Sequence, residues 1–139
     1  MVKNLQRATA ELKRNLSVAP VIPVIGNNDV FPHNSLALNS SDPFLRELAR
    51  LWAPWLDEEQ QNSFQLGAYY SASPIPGLRI IVLNTLYYYT KFCPYSTPAE
   101  KIQFCKPADL SEDKIPDDPA GQFEWLTDQL NTARNNGEK

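Results

Sequence analysis

Apolar residues recur at three- and four-residue steps through Leu5, Ala8, Leu12 and Leu16, with Lys and Arg between them. That spacing predicts an amphipathic helix over 4–16. The run Val21-Ile22-Pro23-Val24-Ile25 carries no charge and predicts a short buried strand over 20–25 that stops at Gly26. Asp42-Pro43 reads as an N-cap with Pro at the first helical position, and Leu45, Leu48, Leu51, Trp52 and Trp55 supply one apolar face until Pro54 ends the helix. Asp57-Glu58-Glu59-Gln60-Gln61 opens a further short helix, its acidic residues suited to the positive end of the dipole. Two strands follow, over 68–71 and 78–84, separated by the turn-forming Ser73-Pro74-Ile75-Pro76-Gly77. Asp118-Pro119 caps a last helix with Phe123, Leu126, Leu130 and Ala133 on one face and Gly137 at its C-terminal cap. Helices alternating with strands predict the α/β class. The pattern opens inside one repeat and leads toward a next core strand, so 1–139 is expected to be the central part of a layered domain, with a loop insertion near 90–117.

Composition narrows the function classes. In 139 residues, a hydrophobic fraction of 42% and a charged fraction of 21% suit one globular domain with a modest core. A net charge of -3 with no basic cluster argues against nucleic acid as a partner. No apolar run approaches the ~20 residues of a membrane span, and Met1-Val2-Lys3-Asn4-Leu5-Gln6-Arg7 is too polar for a signal peptide, so the chain is expected to carry no address of its own. Cys93 and Cys105 share one polar segment, as a loop disulfide or as two unrelated thiols. With the sequons Asn15-Leu16-Ser17 and Asn39-Ser40-Ser41 they lean toward a secretory compartment.

Candidate chemistry begins at Gly26-Asn27-Asn28-Asp29. A buried strand that hands over to amide and carboxylate groups is how an α/β sheet presents ligands at its carboxyl edge, and the same residues also make an ordinary tight turn. Tyr69, Tyr70, Tyr87, Tyr88 and Tyr89 suit either a substrate cleft or packing beside strands, with packing preferred. Trp52, Trp55 and Leu56 are expected in the core rather than at a membrane surface. Asp109, Glu112, Asp113, Asp117 and Asp118 read as a solvated acidic loop rather than calcium ligands.

Taken as a set, Leu51-Trp52-Ala53-Pro54-Trp55-Leu56, Gly67-Ala68-Tyr69-Tyr70, the segment 76–84 and the segment 118–126 resemble the acid sphingomyelinase-like branch of the calcineurin-type metallophosphoesterases. The segment 26–34 and Asn84-Thr85-Leu86-Tyr87 are similar to the endopolyphosphatases of the same superfamily. The resemblance implies an incomplete metallophosphoesterase-type α/β layered domain, working with two divalent metal ions, zinc being expected, on a phosphate-ester or polyphosphate substrate. It also implies a lysosomal, vacuolar or extracellular location. Asn27 matches the family's Asn metal ligand, and Asp29 an acidic residue that orients its neighbour.

Position 28 departs from the pattern. Most relatives place there a His that protonates the leaving group, whereas Asn28 gives a hydrogen bond but no proton. That change favours anhydrides, whose phosphate leaving group is stable as an anion, over lipid esters. His33, the sole histidine, is the candidate replacement acid. The family's upstream Asp-x-His and Gly-Asp motifs and downstream Gly-His motifs are not in these residues, so the chain alone is expected to hold no metal tightly and to need the rest of a catalytic domain. The alternative is a truncated, non-catalytic binding module derived from that fold.

Overall fold

In the computed structural model, residues 2–16, 18–30, 36, 42–88 and 117–139 are described. The elements are α1 (Val2–Asn15), α2 (Pro43–Trp52), α3 (Glu58–Gly67), β1 (Tyr70–Ile75), β2 (Leu78–Val82), short 3-10 turns at Leu86–Tyr88 and Pro119–Gly121, and α4 (Gln122–Asn135). Their chemistry of initiation is local. The Asp42 carboxylate accepts the Phe44 N–H at 2.8 Å, with Pro43 in the first turn of α2. At α3 the Gln60 N–H donates to Asp57 at 2.8 Å while the Gln60 side chain accepts from the Asp57 N–H at 3.0 Å, a reciprocal capping box.

The core forms where α2, α3 and the hairpin meet. Leu45, Leu48, Ala49 and Trp52 of α2 are buried against Phe64 of α3 and Tyr70 of β1. Trp52 and Phe64 meet edge-on with centroids 5.2 Å apart, and Phe64 meets Tyr70 at 6.3 Å. The Trp52 Nε1–H donates to the buried Thr9 hydroxyl at 3.3 Å, which docks α1 on α2. Trp52 and Leu56 are therefore core residues, with Trp55 half-buried beside them.

Four expectations need correction. Residues 20–25 are not a strand: among the described residues the sheet is β1 and β2 alone. A strand needs a neighbour for its backbone groups, and this segment is held instead by burial of Ile25 and by the Tyr70 hydroxyl donating to the Pro23 carbonyl at 2.7 Å. The first strand also runs further than expected. Its antiparallel register is Tyr70↔Val82, Ser71↔Ile81 and Ala72↔Ile80, then shifts to Ile75↔Leu78. That irregularity accommodates Pro74, which has no N–H to give a ladder, and leaves Pro76-Gly77 as the turn, with Gly77 at φ +79°.

The last helix begins at Gln122 rather than Pro119, because Ala120 and Gly121 sit at positive φ and break the path. Asp118 still caps it from a distance, accepting the N–H of Phe123 at 2.7 Å and of Glu124 at 3.0 Å. The helix turns inward by Gln122, Trp125, Leu126, Gln129 and Ala133, while Phe123 and Leu130 are exposed. Polar and aromatic contacts set that rotation: Trp125 lies against Tyr69 at 4.6 Å, and Gln129 accepts from Ser71 and Arg79. On α1, Leu12 and Leu16 of the anticipated face are exposed and Thr9 is the buried position, because α2 is what lies against the helix.

The C-terminus of α4 closes as anticipated. Gly137 at φ +65° lets its N–H reach the Arg134 carbonyl at 3.2 Å and the Glu138 N–H reach Ala133 at 2.9 Å, a Schellman motif. His33, Asn39, Tyr89, Cys93, Cys105, Asp109, Glu112, Asp113 and almost all of the insertion near 90–117 lie outside the described residues.

Candidate functional site

Ile25 and Val30 are both buried, and the turn between them keeps Gly26, Asn27 and Asn28 at the surface. The turn is closed from both sides. The Asp29 N–H donates to the Gly26 carbonyl at 3.1 Å, and the Gly26 N–H donates to Asp29 Oδ2 at 2.8 Å. Asp29 therefore acts locally as a carboxylate that shapes the loop displaying the two asparagines, an Asx-type function. Since Tyr70 pairs with Val82 at the carboxyl end of β2 and bonds Pro23, the approach to this turn is tied to that end of the hairpin. This is the side on which open α/β sheets present ligands.

A second feature at the same end was not anticipated. Asn84 and Gln122 are 1% and 2% exposed, and each bonds the main chain. The Asn84 N–H donates to Gln122 Oε1 at 2.6 Å, and Gln122 Nε2 returns a bond to the Asn84 carbonyl at 3.0 Å. The Asn84 side chain donates to the Gly67 carbonyl at 2.9 Å and accepts the Leu86 N–H at 3.0 Å. One buried clasp thus joins the end of α3, the exit of β2 and the start of α4. Its sequence signal is a lone amide directly after an apolar run. Gly67 belongs to the same junction, since a Cβ there would lie 2.5 Å from the Tyr69 ring.

The tyrosines are structural donors. Tyr69 donates to the Ala120 carbonyl at 2.7 Å and Tyr88 to Asp118 at 3.2 Å. Burial raises the Tyr70 hydroxyl well above its ordinary value. Burial, with the nearby Asp42 charge, pushes Tyr87 up to about 12. These groups stay protonated at physiological pH. Two open grooves, of about 700 and 430 Å³, lie along β1, and neither is lined by Asn27, Asn28 or Asp29.

A two-metal site needs several carboxylate and imidazole ligands converging on each ion. Among the described residues no group of three or more His, Cys, Asp or Glu could hold a metal, and the Asp29 carboxylate is already engaged by the Gly26 N–H. The described donor set does not fit a dinuclear centre by itself. The structure brings Asn27, Asn28 and Asp29 into one turn, and His33 lies outside the described residues. Among the described residues no helix is long and apolar enough to cross a membrane.

Comparison with proteins of known activity identifies the class as a phosphodiesterase-related metallophosphoesterase. The chain is 32% identical to human sphingomyelin phosphodiesterase, with 99% of the chain aligned to 20% of that protein. It is 35% identical to the human cyclic GMP-AMP phosphodiesterase SMPDL3A, 100% of the chain against 26% of that protein. Sphingomyelinase phosphodiesterase D of Dictyostelium discoideum is 39% identical over 84% of the chain and 22% of its own length. No protein-family model matches. Within the class, the chain belongs to the acid sphingomyelinase-like metallophosphoesterases. It spans about a fifth to a quarter of the length of these relatives.

Proposed function

We propose that this chain is the Asn27-bearing portion of a metal-dependent hydrolase of phosphodiester or phosphoanhydride bonds. The observation that carries the reading is end-to-end similarity to enzymes named as phosphodiesterases of sphingomyelin and of cyclic GMP-AMP. Asn27 is the residue that would contribute an amide oxygen to a metal and contact the substrate phosphate. Other metal ligands come from outside 1–139, zinc is the expected ion, and a lysosomal, vacuolar or extracellular setting follows from the sequons and cysteines.

The finer assignment concerns the leaving group. Asn28 holds a hydrogen bond toward the departing oxygen but transfers no proton, which suits polyphosphate-like anhydrides better than lipid esters. His33 is the residue placed by sequence to restore acid catalysis. A non-catalytic binding module is the second reading, favoured by the single histidine of the chain.

The test uses a longer polypeptide that contains this chain, assayed with zinc on bis(p-nitrophenyl) phosphate and on inorganic tripolyphosphate. Asn27→Ala should lower both activities roughly a hundredfold or more. Asn28→His should raise diester hydrolysis selectively, by roughly a hundredfold at the low end of general-acid effects. Absence of both activities from a correctly folded longer protein supports the binding module instead.

A further inference from the structure

The last residue of the chain lies against the hairpin in a defined way. The Lys139 N–H donates to the Gly77 carbonyl at 2.8 Å, and the Arg79 N–H donates to the Lys139 carbonyl at 2.9 Å. One residue bonded to the neighbours on either side of Leu78, rather than exchanging both bonds with a single residue, is the repeat of a parallel ladder. Lys139 thus starts a pairing on the edge of β2 opposite β1.

The surroundings hold it there. The Arg79 Nε donates to Glu138 at 2.6 Å, and both side chains are largely buried. Arg79 Nη1 also bonds Gln129 at 2.8 Å and Ser71 at 3.3 Å, so the guanidinium ties α4, β1 and the chain after α4 to one point on β2. The Schellman turn at Gly137 aims the chain into that position.

We infer that the outer edge of β2, from Arg79 to Leu83, is an acceptor for a parallel strand entering at Lys139, supplied by polypeptide beyond this residue. Residues alternate in direction along a strand. Gly77 and Arg79 bond outward to Lys139, so Ile81 and Leu83 present the next outward groups. The occupant is a continuing segment because the pairing already begins in the same chain and the relatives are four to five times longer. β2, α4 and the new strand then form a βαβ unit, with α4 as the crossover. The new strand would end beside the Asn84 clasp, at the end of the hairpin to which the Asn27 turn is tied.

Residue-resolved amide hydrogen exchange tests this on the chain as it stands and on one extended after Lys139 by alternating Val and Thr, with an otherwise identical extension containing Pro as control. Ile80 and Val82, which face β1, report folding and should be protected in all three. Arg79 and Lys139 should be protected in the unextended chain, with Ile81 exchanging fast. The Val-Thr extension should slow Ile81 about tenfold or more, the factor expected for roughly one net hydrogen bond, while the chain stays monomeric and the Pro control shows no slowing. Unchanged exchange at Ile81 in the extended chain overturns the inference. So does protection of Ile81 in the unextended chain accompanied by dimerisation, which would assign the edge to a second copy.

Discussion

Replacing Asn84 by Ala isolates the contribution of the buried clasp. The side chain supplies a donor to the Gly67 carbonyl at 2.9 Å and an acceptor for the Leu86 N–H at 3.0 Å, and no water can substitute readily at a residue 1% exposed. Each buried group left unsatisfied costs roughly 1–3 kcal/mol, so Asn84→Ala should lose about 4 kcal/mol. That is a large share of the roughly 5–15 kcal/mol that stabilises a typical domain. With a urea slope of about 2 kcal/mol/M, the unfolding midpoint should fall by about 2 M, read from the fluorescence of Trp52, Trp55 and Trp125.

Asn84→Asp separates hydrogen bonding from volume. Its carboxylate would face the Gly67 carbonyl with no donor and without water, which raises its folded-state pKa above the unfolded one. Such a group stabilises the fold at low pH, where it can donate as a neutral acid, and that stabilisation is lost as pH rises through the raised folded value. Relative to Asn84→Ala at each pH, Asn84→Asp should therefore recover on acidification. Gln122→Ala should be comparably destabilising, and the double variant should cost less than the sum because the two side chains serve one junction. A midpoint shift under about 0.5 M for Asn84→Ala, or an Asp variant indifferent to pH, would refute the reasoning.

Three further outcomes follow from the same geometry. Thr9→Val removes the acceptor of the buried Trp52 Nε1–H, and should cost about 1–2 kcal/mol by urea titration, with early loss of α1 protection in hydrogen exchange. Asp57→Ala breaks the capping box of α3 and should cost roughly 0.5–2 kcal/mol, most of it recovered by Asp57→Ser. Burial acts to raise the Asp118 pKa, but the Phe123 and Glu124 N–H groups and the Tyr88 hydroxyl outweigh it, so its folded value is lowered below 3.8. A lowered carboxylate contributes stability above its unfolded pKa that is lost as pH falls through the folded one, so Asp118→Asn should flatten the acid side of the stability profile below about pH 4.

Much of the local structure was legible in the sequence because its causes lie within a few residues. Asp42-Pro43, Pro54, the Asp57 and Gln60 pair and Gly137 act on adjacent backbone groups, and the structure places helix starts and stops where they predict. The Gly26 to Asp29 turn was legible for the same reason: its hydrogen bonds span three residues. Tertiary structure decided what depends on partners distant along the chain. Whether 20–25 becomes a strand depends on a neighbour to receive its backbone bonds, and whether α4 turns Gln122 or Phe123 inward depends on Asn84 lying beside it. Hydrophobic periodicity measures which faces are able to be buried. The long-range hydrogen bonds of Asn84, Gln122, Arg79 and Tyr70 fix which ones are, because an unpaired polar group in the core costs as much as a buried side chain gains.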